Sequence, residues 1–137
     1  MKRIVLDTNV LASALLKPKG PPARILRLVL QGELVLVLND EILTEYEDVL
    51  ARSKFSLDPR LVRAVLDHLQ AEAIKAPALP LTLSLPDPED EPFLEAALAA
   101  RADALVTGNK RHFPERACQG QTVWSPKEFL EAAWGRS

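Results

Sequence analysis

The stretch Lys2–Leu16, KRIVLDTNVLASALL, decides the fold. Ile4, Val5 and Leu6 form an aliphatic run with no polar interruption, the mark of a strand buried on both faces. Such a strand at the start of a chain is expected mid-sheet. It stops at Asp7, Thr8 and Asn9, after which Val10, Leu11, Ala14 and Leu15 recur with helical spacing. Asp7 therefore stands at the carboxyl end of a strand and just ahead of a helix. In open α/β sheets that edge is where loops diverge, helix N-termini point into a crevice and ligands bind. An acid there is a candidate for chemistry. Asp and Thr are also common helix caps, so position alone leaves a catalytic and a capping reading of Asp7 and Thr8 open.

Outward from this unit, strands and helices alternate. After the breakers of KPKGPP, Pro21 or Pro22 opens a helix through about Gln31, and Gly32 stops it. Leu34–Leu38 reads as a second buried strand. Asn39 and Asp40 are helix caps, followed by Ile42, Leu43, Tyr46, Val49 and Leu50 at helical spacing. The pattern predicts a further amphipathic helix over Leu57–Lys75, ended by Pro77, and then a short strand or extended linker over Leu79–Leu85. The acidic loop PDPEDEP leads into a helix from Phe93 to Arg101, and Ala104–Thr107 is a third clear strand. A short helical turn is expected at Lys110–Phe113 and a strand at Gln121–Trp124. Ser125 with Pro126 and Glu128 has the spacing of a capping box that opens the last helix. Alternation of this kind, with right-handed crossovers, predicts a three-layer α/β/α fold around a mostly parallel central sheet.

The 137 residues are expected to form one domain with a proper core. No apolar run approaches the roughly 20 residues of a membrane span, and the N-terminus does not read as a cleavable leader. A cytoplasmic protein is expected. The single Cys118 fits a reducing compartment and reads as a small buried residue. Seventeen Lys and Arg against nineteen Asp and Glu give a net charge of −2. That excludes a global basic field of the kind that coats nucleic acid indiscriminately. It leaves room for local basic surface, for which Lys17, Lys19, Arg24, Arg27, Arg52, Lys54, Lys110 and Arg111 are available, although most of these read more simply as solvated helix faces.

Parallel topology brings Asp7, Asn9, Asp90, Thr107 and Asn109 to one sheet edge. A further acid is expected from the helix after the second strand. At about 100° per residue, Glu45 and Glu47 fall at the two borders of the buried arc marked by Ile42, Tyr46 and Val49, and periodicity leaves them rivals. Carboxylates gathered at one edge raise one another's pKa unless a cation neutralises them. Oxygen ligands without Cys or His select Mg²⁺ or Mn²⁺, ions that support attack of water on a phosphodiester. His68 and His112 are not read as catalytic, since no Ser or Cys motif accompanies them.

DTNVLASALL, the acid in NDEILTEYEDVLAR and the run DPEDEPFLEAALAARADALVTGNKRHFP together resemble the PIN-domain nucleases. Within them the chain is most similar to the toxin components of bacterial toxin–antitoxin pairs, the relatives of VapC. The resemblance implies that Asp7, Glu45 and Asp90 are the family's metal-binding acids, which separates Glu45 from Glu47. It prefers Asp90 to Asp87, because Asp90 precedes Phe93 by three residues. Thr8, Asn9 and Thr107 fall on polar residues that orient acids and waters. Asn109 stands where many members carry a fourth acid, so the metal site would be weaker or would recruit Asp87 or a water. The activity implied is Mg²⁺- or Mn²⁺-dependent cleavage of single-stranded RNA, with Lys110 and Arg111 as phosphate contacts, an antitoxin partner and a homodimer. Two other readings compete: a degenerate PIN-like module that binds RNA or protein, and a phosphatase with Asp7 as nucleophile. The latter lacks its second acid, since Asn9 occupies that position.

Overall fold

The computed structural model describes residues 2–134. Five strands, β1 (Lys2–Leu6), β2 (Leu34–Leu38), β3 (Ile74–Lys75), β4 (Ala104–Val106) and β5 (Val123–Trp124), form one sheet in the order β3-β2-β1-β4-β5. Every neighbouring pair is parallel. β1 lies at the centre, as its uninterrupted aliphatic run requires: Ile4, Val5 and Leu6 are fully buried between β2 and β4. Helices α1 (Thr8–Leu16), α2 (Pro21–Leu30), α3 (Asp40–Leu50), α4 (Pro59–Glu72) and α5 (Glu91–Ala99) cover the sheet and complete the three layers. A short α6 (Pro126–Phe129) begins with the expected capping box, in which the Ser125 and Glu128 side chains each satisfy the other's backbone N–H.

The chain moves from β1 to β2 and β3 on one side, then returns past β1 to β4 and β5 on the other. The strand order therefore reverses between β1 and β4, and the crevice outside their carboxyl ends is the position open sheets offer to ligands. Asp7 follows β1 directly and Thr107 follows β4. The backbone closes this point: Asp7 N–H donates to Val106 O at 2.9 Å.

The third strand differs from expectation. The segment 79–85 forms no strand, and Ile74–Lys75, read as the end of the preceding helix, supplies β3 by pairing with Val37 and Leu38. Ala73 already has extended backbone at the end of α4, and Ala76 N–H extends the pairing to Leu38 O. Pro77, Pro80 and Pro86 carry no N–H, so the segment among them is a poor candidate for a ladder. Among the described residues, no helix is long and apolar enough to cross a membrane.

Candidate active site

A cleft of about 370 Å³ opens at the switch point and gathers polar residues from four separate segments, with Phe55 from a fifth. Asp7, Thr8 and Asn9 come from the β1–α1 junction, Glu45 from α3, Asp90 from the start of α5, and Asn109 and His112 from the loop after β4.

Asp7 is held rigidly. Its Oδ1 accepts from Thr8 N at 2.8 Å and its Oδ2 from Thr107 Oγ1 at 2.7 Å, and it is only 6 % exposed. The capping reading holds, and it leaves the other open, because the carboxylate that caps α1 also lines the crevice. Thr107 is fully buried and its hydroxyl oxygen also accepts from Asn109 N at 3.0 Å, so it fixes Asp7 to the loop that carries Asn109. Asn9 spends its side-chain oxygen on Gly108 N, at 3.3 Å.

Periodicity alone could not rank Glu45 and Glu47, but packing does. The buried arc of α3 is Ile42, Tyr46 and Leu50, with Val49 only partly buried at its border. Glu45 and Val49, four residues apart, lie on the cleft side, and Glu45 accepts a hydrogen bond from the Thr8 hydroxyl. Glu47 turns the other way and pairs with Arg63 at 3.1 Å. Tyr46 ties this helix to the central strand, its hydroxyl donating to Leu6 O at 2.5 Å.

Asp90 is the least satisfied acid. Its side chain is 15 % exposed, and His112 Nδ1 lies 3.0 Å from Oδ2. That contact lies outside hydrogen-bond geometry, so Oδ2 is buried without a hydrogen-bond partner. His112, set aside on sequence, is thus in the cleft beside an acid. No local motif reveals this, because the two residues are brought together by the fold. Other predicted residues lie elsewhere. Asp87 accepts from Glu89 N at 2.9 Å and does not line the cleft. The Lys110 ammonium pairs with Glu128 at 3.0 Å instead of facing the acids, and Arg111 is exposed on the same turn. His68 is exposed on α4, as expected.

Burial dominates the electrostatics. It raises the pKa of Asp7 against the lowering influence of Thr107, Thr8 and His112. It also raises Glu45, where Asp7 and Glu89 add repulsion and Thr8 and Arg52 oppose it. Asp90 is pushed up to about 6, by burial first and then by Asp7, with Asp87 adding and His112 opposing. A folded-state pKa above the ordinary value of about 3.9 means the folded protein binds the extra proton. The stability this group contributes is present below pH 4 and lost as the pH rises through about 6. Melts in chelator are therefore expected to show wild type losing stability relative to Asp90→Asn between about pH 4 and pH 7. Parallel curves would place Asp90 outside the cluster.

Among the described residues, no three His, Cys, Asp or Glu side chains stand together as a ready-made metal site. The donors nevertheless suit a hard divalent cation in kind: three carboxylates lining one cleft, with raised pKa values and an orphaned buried Oδ2.

The fold and cleft define the class: a three-layer α/β/α domain with acids collected at the switch point of a parallel sheet. Residues 3–111 match the PIN domain, and the chain belongs to that family. In fold it is similar to a chain of VapBC2 from Rickettsia felis, whose crystal structure is bound to a DNA fragment from their promoter. The TM-score is 0.59 at 18 % identity, over 88 % of this chain and 96 % of that one. No curated protein matches this sequence.

Proposed function

We propose that residues 1–137 form a single PIN-like endoribonuclease domain that hydrolyses single-stranded RNA with Mg²⁺ or Mn²⁺. We further infer that it is the cytoplasmic toxin of a toxin–antitoxin pair and works as a homodimer. The observation that carries the nuclease reading is the meeting of Asp7, Glu45 and Asp90, from three distant segments, in one switch-point cleft. The likeness in fold to a chain of VapBC2 supports the toxin–antitoxin assignment, together with the VapC-like sequence motifs.

In this reading Asp7, Glu45 and Asp90 hold the cation. A divalent ion bound there supplies an activated water and neutralises charge on the phosphodiester. The chain supplies the placement. Thr8 acts twice, through its N–H on Asp7 and its hydroxyl on Glu45, and so sets the spacing of two acids. Thr107 orients the other Asp7 oxygen. His112 sets its Nδ1 3.0 Å from Asp90 Oδ2, at the edge of the acid cluster. No side chain need act as nucleophile, and the phosphatase reading weakens further because Asn9 is committed to Gly108.

The test is cleavage of a labelled single-stranded RNA with Mg²⁺, with Mn²⁺ and with chelator. Metal-dependent cleavage that chelator stops is expected. RNA binding without cleavage in Mn²⁺ would overturn the nuclease reading in favour of a binding module, which Asn109 in place of an acid favours.

Asn109 makes a separate prediction. An amide oxygen can ligate a cation but brings no charge, so activity should be modest with Mg²⁺ and higher with Mn²⁺. Asn109→Asp is expected to tighten metal binding by about 1 to 3 kcal/mol, the scale of one added charge a few ångströms away in a partly solvated site. It should also lower the metal-free melting temperature. Melts with and without Mn²⁺ read both effects, and no change in either would remove Asn109 from the site.

A further inference from the structure

The cleft has a second character. Besides the acids it is lined by aliphatic side chains of α1 and α3, among them Leu16 and Val49, and by Phe55. Leu16 is 41 % exposed, one of the few large apolar side chains left open to solvent. Of the four phenylalanines, Phe93, Phe113 and Phe129 are buried in the core, whereas Phe55 is only partly buried and lines this cleft.

The placement of Phe55 is well defined. It ends a 3-10 turn, Ser53–Phe55, which Ser56 closes with φ of 50° and an N–H bond to Ser53 O at 3.0 Å. A positive φ at a non-glycine residue is uncommon and pins the turn in a specific shape. Lys54, which does not line the cleft, holds its ammonium 5.1 Å from the centre of the Phe55 ring. Arg52, exposed at the start of the same turn, lines a neighbouring groove together with Glu45. An aromatic ring with a cation against it, in a cleft that also gathers acids, matches the way single strands are held: bases stack on rings while basic side chains follow the phosphates.

We propose that Phe55, with Leu16 and Val49 beside it, forms a nucleobase subsite that takes the unpaired base next to the cleaved phosphodiester. The proposal rests on the nuclease reading and deepens it. The apolar wall and the acids belong to one cleft, so a nucleotide can place its phosphate at the acids and its base against Phe55. Base-paired RNA cannot offer a free base face, so the subsite also selects single strands.

The experiment measures kcat/KM in Mn²⁺ for wild type, Phe55→Leu and Phe55→Trp on three substrates. These are a single-stranded oligoribonucleotide, the same strand with an abasic residue beside the cut, and its duplex. Phe55→Leu keeps an apolar side chain in place and removes the stacking face. It is expected to lose about tenfold (~1.4 kcal/mol) on the intact single strand, mainly through KM. On the abasic strand and the duplex it should match wild type. Phe55→Trp should retain activity on the intact strand. If wild type cuts the single strand and Phe55→Leu stays within about twofold of it, the subsite is overturned while the nuclease reading stands. An equal loss on intact and abasic strands also overturns it, because the ring would then only shape the site. If wild type cuts no single strand, the nuclease reading falls and the subsite falls with it.

Discussion

Asp7→Asn is expected to reduce RNA cleavage at least a hundredfold, or about 2.7 kcal/mol of barrier, while leaving the fold intact. The substitution removes one negative charge and preserves the shape of the side chain. An Asn oxygen can still accept from Thr8 N, and the Thr107 hydroxyl can turn to accept from the new amide. Burial already disfavours the charged form of Asp7, and Glu45 and Asp90 both feel its repulsion. The variant should therefore melt higher than wild type in chelator and lose much of the metal-induced shift. Cleavage within about threefold of wild type, roughly 0.6 kcal/mol, would remove Asp7 from the centre of the reaction.

Tyr46 is expected to carry the largest effect on stability. It is fully buried, its ring packs against Phe93 with centroids 6.5 Å apart, and its hydroxyl donates to Leu6 O. Tyr46→Ala should cost about 3 to 5 kcal/mol, the range for deleting a large buried ring, and lower the melting temperature by about 10 °C or more. Tyr46→Phe keeps the ring and removes one hydrogen bond, for about 1 to 2 kcal/mol. The smaller change is the more informative for function. Tyr46 joins α3 to the last residue of β1, and so joins Glu45 to Asp7. Tyr46→Phe should lose activity at temperatures where denaturant curves show it fully folded. Unchanged activity would mean that the spacing of the two acids is set elsewhere, with Thr8 the remaining bridge.

The centre of the fold was legible because its signals are local. An aliphatic run bounded by Asp7 identifies β1 and its sharp exit, and Ser125 with Glu128 announces the capping box that the last helix displays. Alternation of strands and helices then leaves few topologies, and the observed parallel order is among them. What escaped depends on tertiary placement. β3 has two residues and exists because β2 offers them partners, so it carries no period of its own. His112 is unremarkable in KRHFP and becomes relevant only when α5 brings Asp90 to it. Lys110 has a basic neighbour and a nearby acid site in sequence, yet Glu128 of α6 takes its charge. The ambiguity between Glu45 and Glu47 is of the same sort, because helical periodicity marks both borders of a buried arc and cannot tell which one faces the cleft.

The two-residue strands β3 and β5 at the margins of the sheet also restrict how this domain can assemble. A long bare edge invites a foreign strand to zip onto it, which is a route both to peptide capture and to aggregation. Here each margin offers a ladder of two residues, and beyond β3 Pro77 has no N–H to extend it. Edges this short are poor templates for such growth, so helices and loops offer a second copy or a protein partner the larger footing.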